Sequence, residues 1–494
     1  MSFAEVLSGA EKWSLACADC RDFLPLLPDG CIDCVNTDPP YEIGFMATSD
    51  RRWDTTGIAY DVAVWKEVLR VCKPGANLFA FGGTRTSHRT VCAIEDAGFE
   101  IRDSIHWIYG QGQPHGLNVA KAIDEKLGAE PTVVGKRTLT GNAAQTTKEK
   151  GGTYGANTDS RGVKPKEVDV TVPTTDEAKV WDGWNTNLKP CHEPIAVAQK
   201  PFSGRIVDNV LEHGTGAINV DACRISAGQE YRDKCASVVG LDSNRTGAVY
   251  GDWSGERTDS ASPLGRYPGN LVFSHAEGCR KIGAKRVDSN GHYPASRPAF
   301  SGVAGCTGHR GQDALVERST SGETVEIWRC VPWCPVGQLD QQSGERPGMS
   351  GGGVHREGYA GGMFGAVDCA HTARNDTGGA SRFFTVFEYE PLFLYVPKAT
   401  RAERERGLRR MSSDERENNH TTVKPAAITR WLTRLGARKG AVVLDLFAGS
   451  GTGGIAALAE GCRWIGCELK PEHVEIARLR IVGDAPLLNA GGAA

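Results

Sequence analysis

The chain has 494 residues, 40% of them apolar, and a formal net charge of −3 at neutral pH. That is enough apolar material for a substantial core spread over two to four domains, and the charge excludes a uniformly basic nucleic-acid-binding polypeptide, so any basic surface must be local. There is no leader with a basic flank and no apolar run of bilayer length, so a cytoplasmic protein without membrane contact is expected; its 16 cysteines are then reduced, as packing residues or metal ligands.

Residues 12 to 110 alternate short apolar runs with amphipathic segments: "WSLACADC", "CIDCVNT", "DVAVWKEVLRVC", "NLFAFGG" and "IRDSIHWIYG". This alternation predicts an α/β layer with a largely parallel sheet. Cys17, Cys20, Cys31 and Cys34 have the spacing of a zinc ribbon, but Cys17 and Cys34 fall inside predicted strands, so all four are read as core or turn residues.

The run "CIDCVNT" ends in "DPPY", residues 38 to 41. Pro39 and Pro40 cannot donate backbone hydrogen bonds and fix their own φ, so the turn holds its carbonyls in one direction as free acceptors. Asp38 with these acceptors can receive both hydrogens of a planar amino group while Tyr41 stacks on the ring that carries it, and a nucleobase fits that description. The alternative is a proline-ended loop whose Asp caps an amide and whose Tyr packs on the core.

Residues 121 to 384 are rich in Gly, Ser, Thr and Asn and lack a clear helical or strand period, so mobile loops are expected in stretches such as "GNAAQTTKEKGGTYGANTDSRG". Within them, "SHAEGC" and "WRCVPWC" give His275 with Cys279 and Cys330 with Cys334, two pairs with three residues between partners. A structural zinc on these four would stabilise a region where apolar burial is thin; the alternative is two buried cysteines and a surface histidine. Cys191, in "PC", is read as structural. Lys398, Arg401, Arg404, Arg406, Arg409 and Arg410 form the main basic cluster, and such runs are usually solvated helix faces.

Regular order returns in "ITRWLTRLG" and "VVLDLFAGSGTGGIAALAEGCRWIGCEL", the latter a strand, a glycine-rich turn, a helix and a strand ending in an acid. Gly449 and Gly451 allow close backbone approach to a ligand at a helix N-terminus, and Glu468 is placed to accept from ribose hydroxyls. Gly449, Gly451 and Gly454 also satisfy G-x-G-x-x-G, so a nicotinamide or flavin dinucleotide is the rival ligand; Asp445 and Phe447 before the turn, and the lack of a hydride-transfer site, weigh against it. The simplest organisation is one α/β domain in two halves, 1–120 and 385–494, separated by an inserted region at 121–384.

Taken in order, "DPPY", "HTTVKP" at 420 to 425 and "DLFAGSGT" resemble the β-class of S-adenosylmethionine-dependent DNA amino-methyltransferases. The resemblance implies a Rossmann-like methyltransferase sheet, mostly parallel with one antiparallel strand, and a target-recognition region between the catalytic and cofactor halves. It implies that Asp445, Phe447, Gly449, Ser450, Gly451 and Glu468 hold the cofactor, with Thr422, Lys424 and Pro425 closing over it, and that Asp38, Pro39, Pro40 and Tyr41 receive a base flipped from double-stranded DNA. Adenine is expected because "DPPY" is commoner among adenine enzymes, with the cytosine amino group as runner-up, and RNA or a protein glutamine further behind. A homodimer and a restriction-modification setting are compatible with the resemblance. A DNA-binding module with a decayed site is the non-enzyme alternative, and the intact motifs argue against it.

Overall fold

In a computed structural model of the chain, the described residues are 2–44, 52–109, 116–130, 132–139, 166–188, 190–225, 266–276, 278–287, 290–294, 315–319, 323–344, 346–349, 373–378, 380, 384–387 and 423–484. Two compact units emerge: Met1–Asn219 with Asn270–Glu277 and Phe387–Ala494, and Val220–Gly269 with Gly278–Val386.

The first unit is organised around strands β1 (Trp13–Cys17), β2 (Ile32–Thr37), β3 (Cys72–Phe81), β4 (Glu100–Ile108), β5 (His192–Gln199), β6 (Leu271–Ser274), β7 (Val442–Asp445) and β8 (Arg463–Glu468). They lie side by side in the order β1-β8-β7-β2-β3-β5-β4-β6. All neighbours are parallel except where β5 runs antiparallel between β3 and β4. The two ends of the chain thus complete one sheet, as expected, and β5 is the single reversed strand among these eight. The segment 121–384 differs from a simple insertion, because its residues 192–199 and 271–274 supply β5 and β6. The local glycine and asparagine content masks these strands, and long-range pairing with β3 and β4 creates them.

Every residue of β2 is buried, the mark of a central parallel strand covered on both faces. On one side the helix Val62–Val71 contributes Val64, Trp65, Val68 and Val71 to a core shared with Val35 and Leu78. Asp61 caps that helix, accepting from the Ala63 amide at 2.9 Å. The helix Ala426–Gly436 packs on β2 and β3. Buried polar groups of β2 are tied to neighbouring elements: Asn36 Nδ2 donates to the Thr429 carbonyl and Thr433 Oγ1, both at 3.1 Å, while Asp33 accepts from the Val442 amide at 2.7 Å and pairs with Lys73 at 2.6 Å.

The second unit pairs Arg280–Val287 with Glu323–Arg329 as antiparallel strands, followed by the helix Pro335–Ser343. Its buried apolar side chains, among the described residues, are Cys223, Cys279, Cys334 and Val336. Among the described residues no helix is long and apolar enough to cross a membrane.

Gly436 ends its helix directly against the Phe79 ring, where an added Cβ would overlap Cε2 and lie 3.1 Å from Cys34 Sγ. Alanine ordinarily gains up to about 1 kcal/mol over glycine in a helix interior, but overpacking a close-packed face costs about 1–3 kcal/mol, and the steric cost wins at this helix end. Gly436→Ala is expected to lower stability by about 2 kcal/mol, read as a reduced urea midpoint; an unchanged or raised midpoint would show that the face yields freely.

Candidate active site at the ends of two adjacent strands

β2 and β7 are parallel neighbours, with Cys34 opposite Val443 and Val35 opposite Leu444, so "DPPY" and the glycine-rich turn leave the same edge of the sheet. Thr37, the last residue of β2, ties the two turns together. Its Oγ1 donates to Asp445 Oδ1 at 2.9 Å and accepts from the Leu446 amide at 3.3 Å. The same Asp445 oxygen accepts from the Phe447 amide at 3.2 Å. Burial nevertheless pushes the Asp445 carboxyl up to about 7, with the nearby charges of Asp38 and Glu468 adding to the rise.

In the glycine-rich turn, Gly449 and Gly451 have φ of 52° and 82°. The Gly449 amide donates to Glu468 Oε2 at 2.8 Å, and the Lys470 amide to Oε1 at 3.0 Å, so the acid at the end of β8 is oriented by backbone on both sides. Gly451 is the N-cap of the helix Thr452–Ala459, and a Cβ there would sit 2.9 Å from the Ala477 Cβ. Phe447 is half-buried against the core and Ser450 is buried. Ser450 Oγ accepts from Arg480 Nη1 at 2.8 Å, and that guanidinium also bonds the Ser450 carbonyl.

The "DPPY" turn is pinned at its far side. Glu42 takes a left-handed φ of 54°, which is strained for a residue with a side chain, and the buried Asp54 holds it by accepting from the Glu42 and Ile43 amides at 2.8 and 3.2 Å. Thr86 Oγ1 donates to the Tyr41 carbonyl at 2.6 Å, and the Tyr41 ring rests on Gly83, where a Cβ would lie 3.0 Å from Cδ2. The Tyr41 hydroxyl donates to Glu193 Oε2 at 2.5 Å. Burial, then the charges of Asp38 and Glu193, hold the Tyr41 phenol well above its usual range, so it remains a neutral donor.

Lys424 enters this cluster from the segment before Pro425, the N-cap of the helix Ala426–Gly436. Its ammonium pairs with Asp38 Oδ2, lies 3.5 Å from Glu193 Oε2, and sits 5.0 and 4.8 Å from the ring centres of Tyr41 and Phe81. Asp38 Oδ1 is buried and has no hydrogen-bond partner among the described residues.

The structure therefore brings Asp38, Pro39, Pro40, Tyr41 and Lys424 together, with Asp445, Phe447, Gly449, Ser450, Gly451 and Glu468 on the neighbouring strand ends. Lys424, expected over the cofactor, contacts the "DPPY" carboxylate. Thr422 and the cluster Lys398 to Arg410 lie outside the described residues. Sequence reasoning missed Glu193, Asp54 and Arg480. Arg480 had a signal: it occupies a position of the helix Pro471–Asp484 that groups with Ile476, Ala477 and Ile481 on the buried face, where an apolar residue is expected. Glu193 opens an apolar run and had only that weak signal. In the second unit, the sulfur atoms of Cys279, Cys330 and Cys334 all lie within 4.8 Å of one another. His275 is 2% exposed, in contrast to the surface histidine of the bland alternative.

Two turns that carry acids, set side by side at the C-terminal edge of a parallel sheet with one reversed strand, define a Rossmann-like methyltransferase fold. A family model described as DNA methylase, of the N6/N4 methyltransferase type, matches residues 32–203 and 314–479, more than half of the chain, and the chain belongs to that family. Among curated relatives, the type II methyltransferase M.HindIII of Haemophilus influenzae is 27% identical over 156 residues, 31% of this chain and 36% of that protein. The DNA adenine methyltransferase YhdJ of Escherichia coli is 40% identical over 68 residues, 14% of this chain and 23% of the relative. The matches thus span about a quarter to a third of those relatives' lengths. Among solved structures, the PvuII cytosine-N4-specific DNA methyltransferase aligns at TM-score 0.37 and 10% identity over 97% of this chain and 94% of its own. A complex of M1.HpyAVI with its S-adenosylmethionine ligand aligns at 0.32 and 11% over 95% and 98%.

The raised carboxyl of Asp445 has a consequence for stability. A proton held more tightly in the folded state contributes stability that is full below the unfolded value, near 3.8, and is lost as pH rises through about 7. Asp445→Asn removes this dependence. Its urea midpoint relative to the natural protein is expected to rise steadily from about pH 4 to pH 7 and to level off above that; a difference independent of pH would show that Asp445 titrates normally.

Proposed function

We propose that this chain transfers a methyl group from S-adenosylmethionine to the exocyclic amino group of adenine in double-stranded DNA. The observation that carries the reading is the Asp38 carboxylate, fixed at the end of β2 beside the glycine-rich turn, with a buried acceptor oxygen that nothing among the described residues uses. The relative YhdJ, named as a DNA adenine methyltransferase, supports adenine over the cytosine amino group, which remains the alternative. The same reading takes the cytoplasm as compartment and a homodimer as the oligomeric state to be checked by sedimentation.

The residues present fit the cofactor. Glu468, aimed by two backbone amides, is suited to ribose hydroxyls; Phe447 offers an apolar edge; and the raised Asp445 carboxyl can donate as well as accept near neutral pH. S-adenosylmethionine, when bound, supplies an electrophilic sulfonium methyl group.

The chain's own task is to make a poor nucleophile react. The lone pair of an exocyclic amino group is delocalised into its ring, and acceptors at Asp38 and the Pro39 carbonyl favour the geometry in which that pair points out along the transfer direction. Rate enhancement then comes from positioning and local electrostatics, with no covalent enzyme intermediate. Tyr41 stacks on the flipped base and offsets part of an unstacking cost of a few kcal/mol. Glu193 holds the Tyr41 hydroxyl and so fixes the ring's pitch. Lys424 now occupies Asp38 Oδ2, so an arriving amino group competes with an ammonium for the same carboxylate.

Expression in a methylation-free host, with mass spectrometry of nucleosides and sequencing of modified bases, tests the reading: N6-methyladenine at a defined site supports it, N4-methylcytosine selects the alternative, and unmodified DNA overturns both. Within the mapped site, Asp38→Ala should abolish turnover, at least a thousandfold, while DNA binding survives. Tyr41→Ala should lose about 1–3 kcal/mol of base capture, read from a fluorescent base analogue at the target position, and Tyr41→Phe much less. A near-normal rate for Asp38→Ala would remove "DPPY" from the chemistry.

A further inference from the structure

The second unit contains a donor set with no part in methyl transfer. Cys279 and Cys330 flank the last pair of an antiparallel ladder, since Arg280 lies opposite Arg329, and Cys334 follows at the N-cap of the helix Pro335–Ser343. Cys279 and Cys334 are buried, Cys330 is half-buried, and none of the three is in a disulfide. We propose that Cys279, Cys330 and Cys334 bind a structural zinc ion through their three thiolates.

Four observations support a built site. First, the three sulfurs lie within 4.8 Å of one another, while a tetrahedral zinc with Zn–S bonds of about 2.3 Å requires sulfur separations of about 3.7 Å, so closure needs shifts of only about 1 Å. Second, the backbone is shaped for it. Gly278 has φ 88° and would place a Cβ 2.9 Å from Val331 Cγ1, and a Cβ on Gly337 would lie 2.6 Å from that of Cys330. Glycine therefore lets the two thiol-bearing turns and the helix converge. Third, Cys334 sits at the N-cap of a helix, where the macrodipole favours negative charge. Fourth, the unit lacks another centre: among its described residues the buried apolar side chains are Cys223, Cys279, Cys334 and Val336, so two of four are proposed ligands. A metal supplies folding free energy where burial cannot. Soft thiolates select zinc over magnesium or calcium, whose sites are built from oxygen.

The test uses untagged, full-length protein purified without chelator. Elemental analysis should give one zinc per chain, released in proportion to thiol blockage by a mercurial reagent. Exchange for cobalt(II) should give the visible bands of a tetrahedral site with thiolate charge transfer. Cys330→Ser and Cys334→Ser should each lose the metal and the charge-transfer intensity, whereas Cys92→Ser, which changes an exposed cysteine of the first unit, should keep both. Cys279→His should retain the ion with a shifted cobalt spectrum, which separates ligation from a folding defect. Substoichiometric zinc in the natural protein together with no cobalt uptake by its reduced, metal-free form would overturn the proposal, as would a Cys330–Cys334 disulfide in protein isolated under reducing conditions. Neither outcome depends on methylation activity.

Discussion

The parallel pairing of β2 with β7 is the constraint on which the candidate site depends. Residues about four hundred positions apart become neighbours, and the short hydrogen bond from Thr37 to Asp445 fixes one turn against the other. A one-residue slip would turn the alternate faces of β2 over, burying different side chains and separating Asp38 from the glycine-rich turn. Register is protected by polar groups inside the sheet: Asp33 holds the Val442 amide, and Asn36 binds the helix that covers β2. Each would lose its partner in a shifted pairing and be left buried and unsatisfied.

Around that frame the site is stiffened from behind by groups that need never touch a ligand. Arg480 clamps the glycine-rich turn through Ser450, and Asp54 holds the left-handed Glu42 after "DPPY". Both are buried charged residues whose hydrogen bonds satisfy backbone in tight turns, which is how a rigid scaffold places mobile chemistry with small positional error. The cluster of Asp38, Tyr41, Glu193 and Lys424 differs in kind. Its members come from three separate stretches of chain, and the Lys424 ammonium lies against two carboxylates, so removal of any one leaves the others differently paired.

Much of this was legible in the sequence. The alternation of apolar runs and amphipathic segments identified the α/β layer, and the split between the two chain ends was visible as a return of regular order near residue 426. "DPPY" and "DLFAGSGT" marked the two strand ends because prolines and glycines leave strong local signals. β5 and β6 were not legible. "HEPIAVAQ" lies within glycine-, serine- and asparagine-rich surroundings, and only pairing with β3 and β4 stabilises it as the reversed strand. Glu193 was missed for the same reason, since its role appears only when β5 stands beside the Tyr41 turn. The cysteines at 279, 330 and 334, singled out by their spacing, have sulfur atoms within 4.8 Å of one another.

Gly451 and Gly454 show what such a motif records. Gly451 admits Ala477, and Gly454 admits Ile481 and Trp464, so both glycines are demanded by the approach of the helix Pro471–Asp484 and by β8, whatever ligand the turn receives. The G-x-G-x-x-G spacing is in this respect a signature of packing distance between a helix and its neighbours. Folds that hold a dinucleotide and folds that hold a methyl donor can therefore share it without shared chemistry, and the discriminating information moves to residues outside the glycines: an acid on the preceding strand, an aromatic edge, and a second turn alongside.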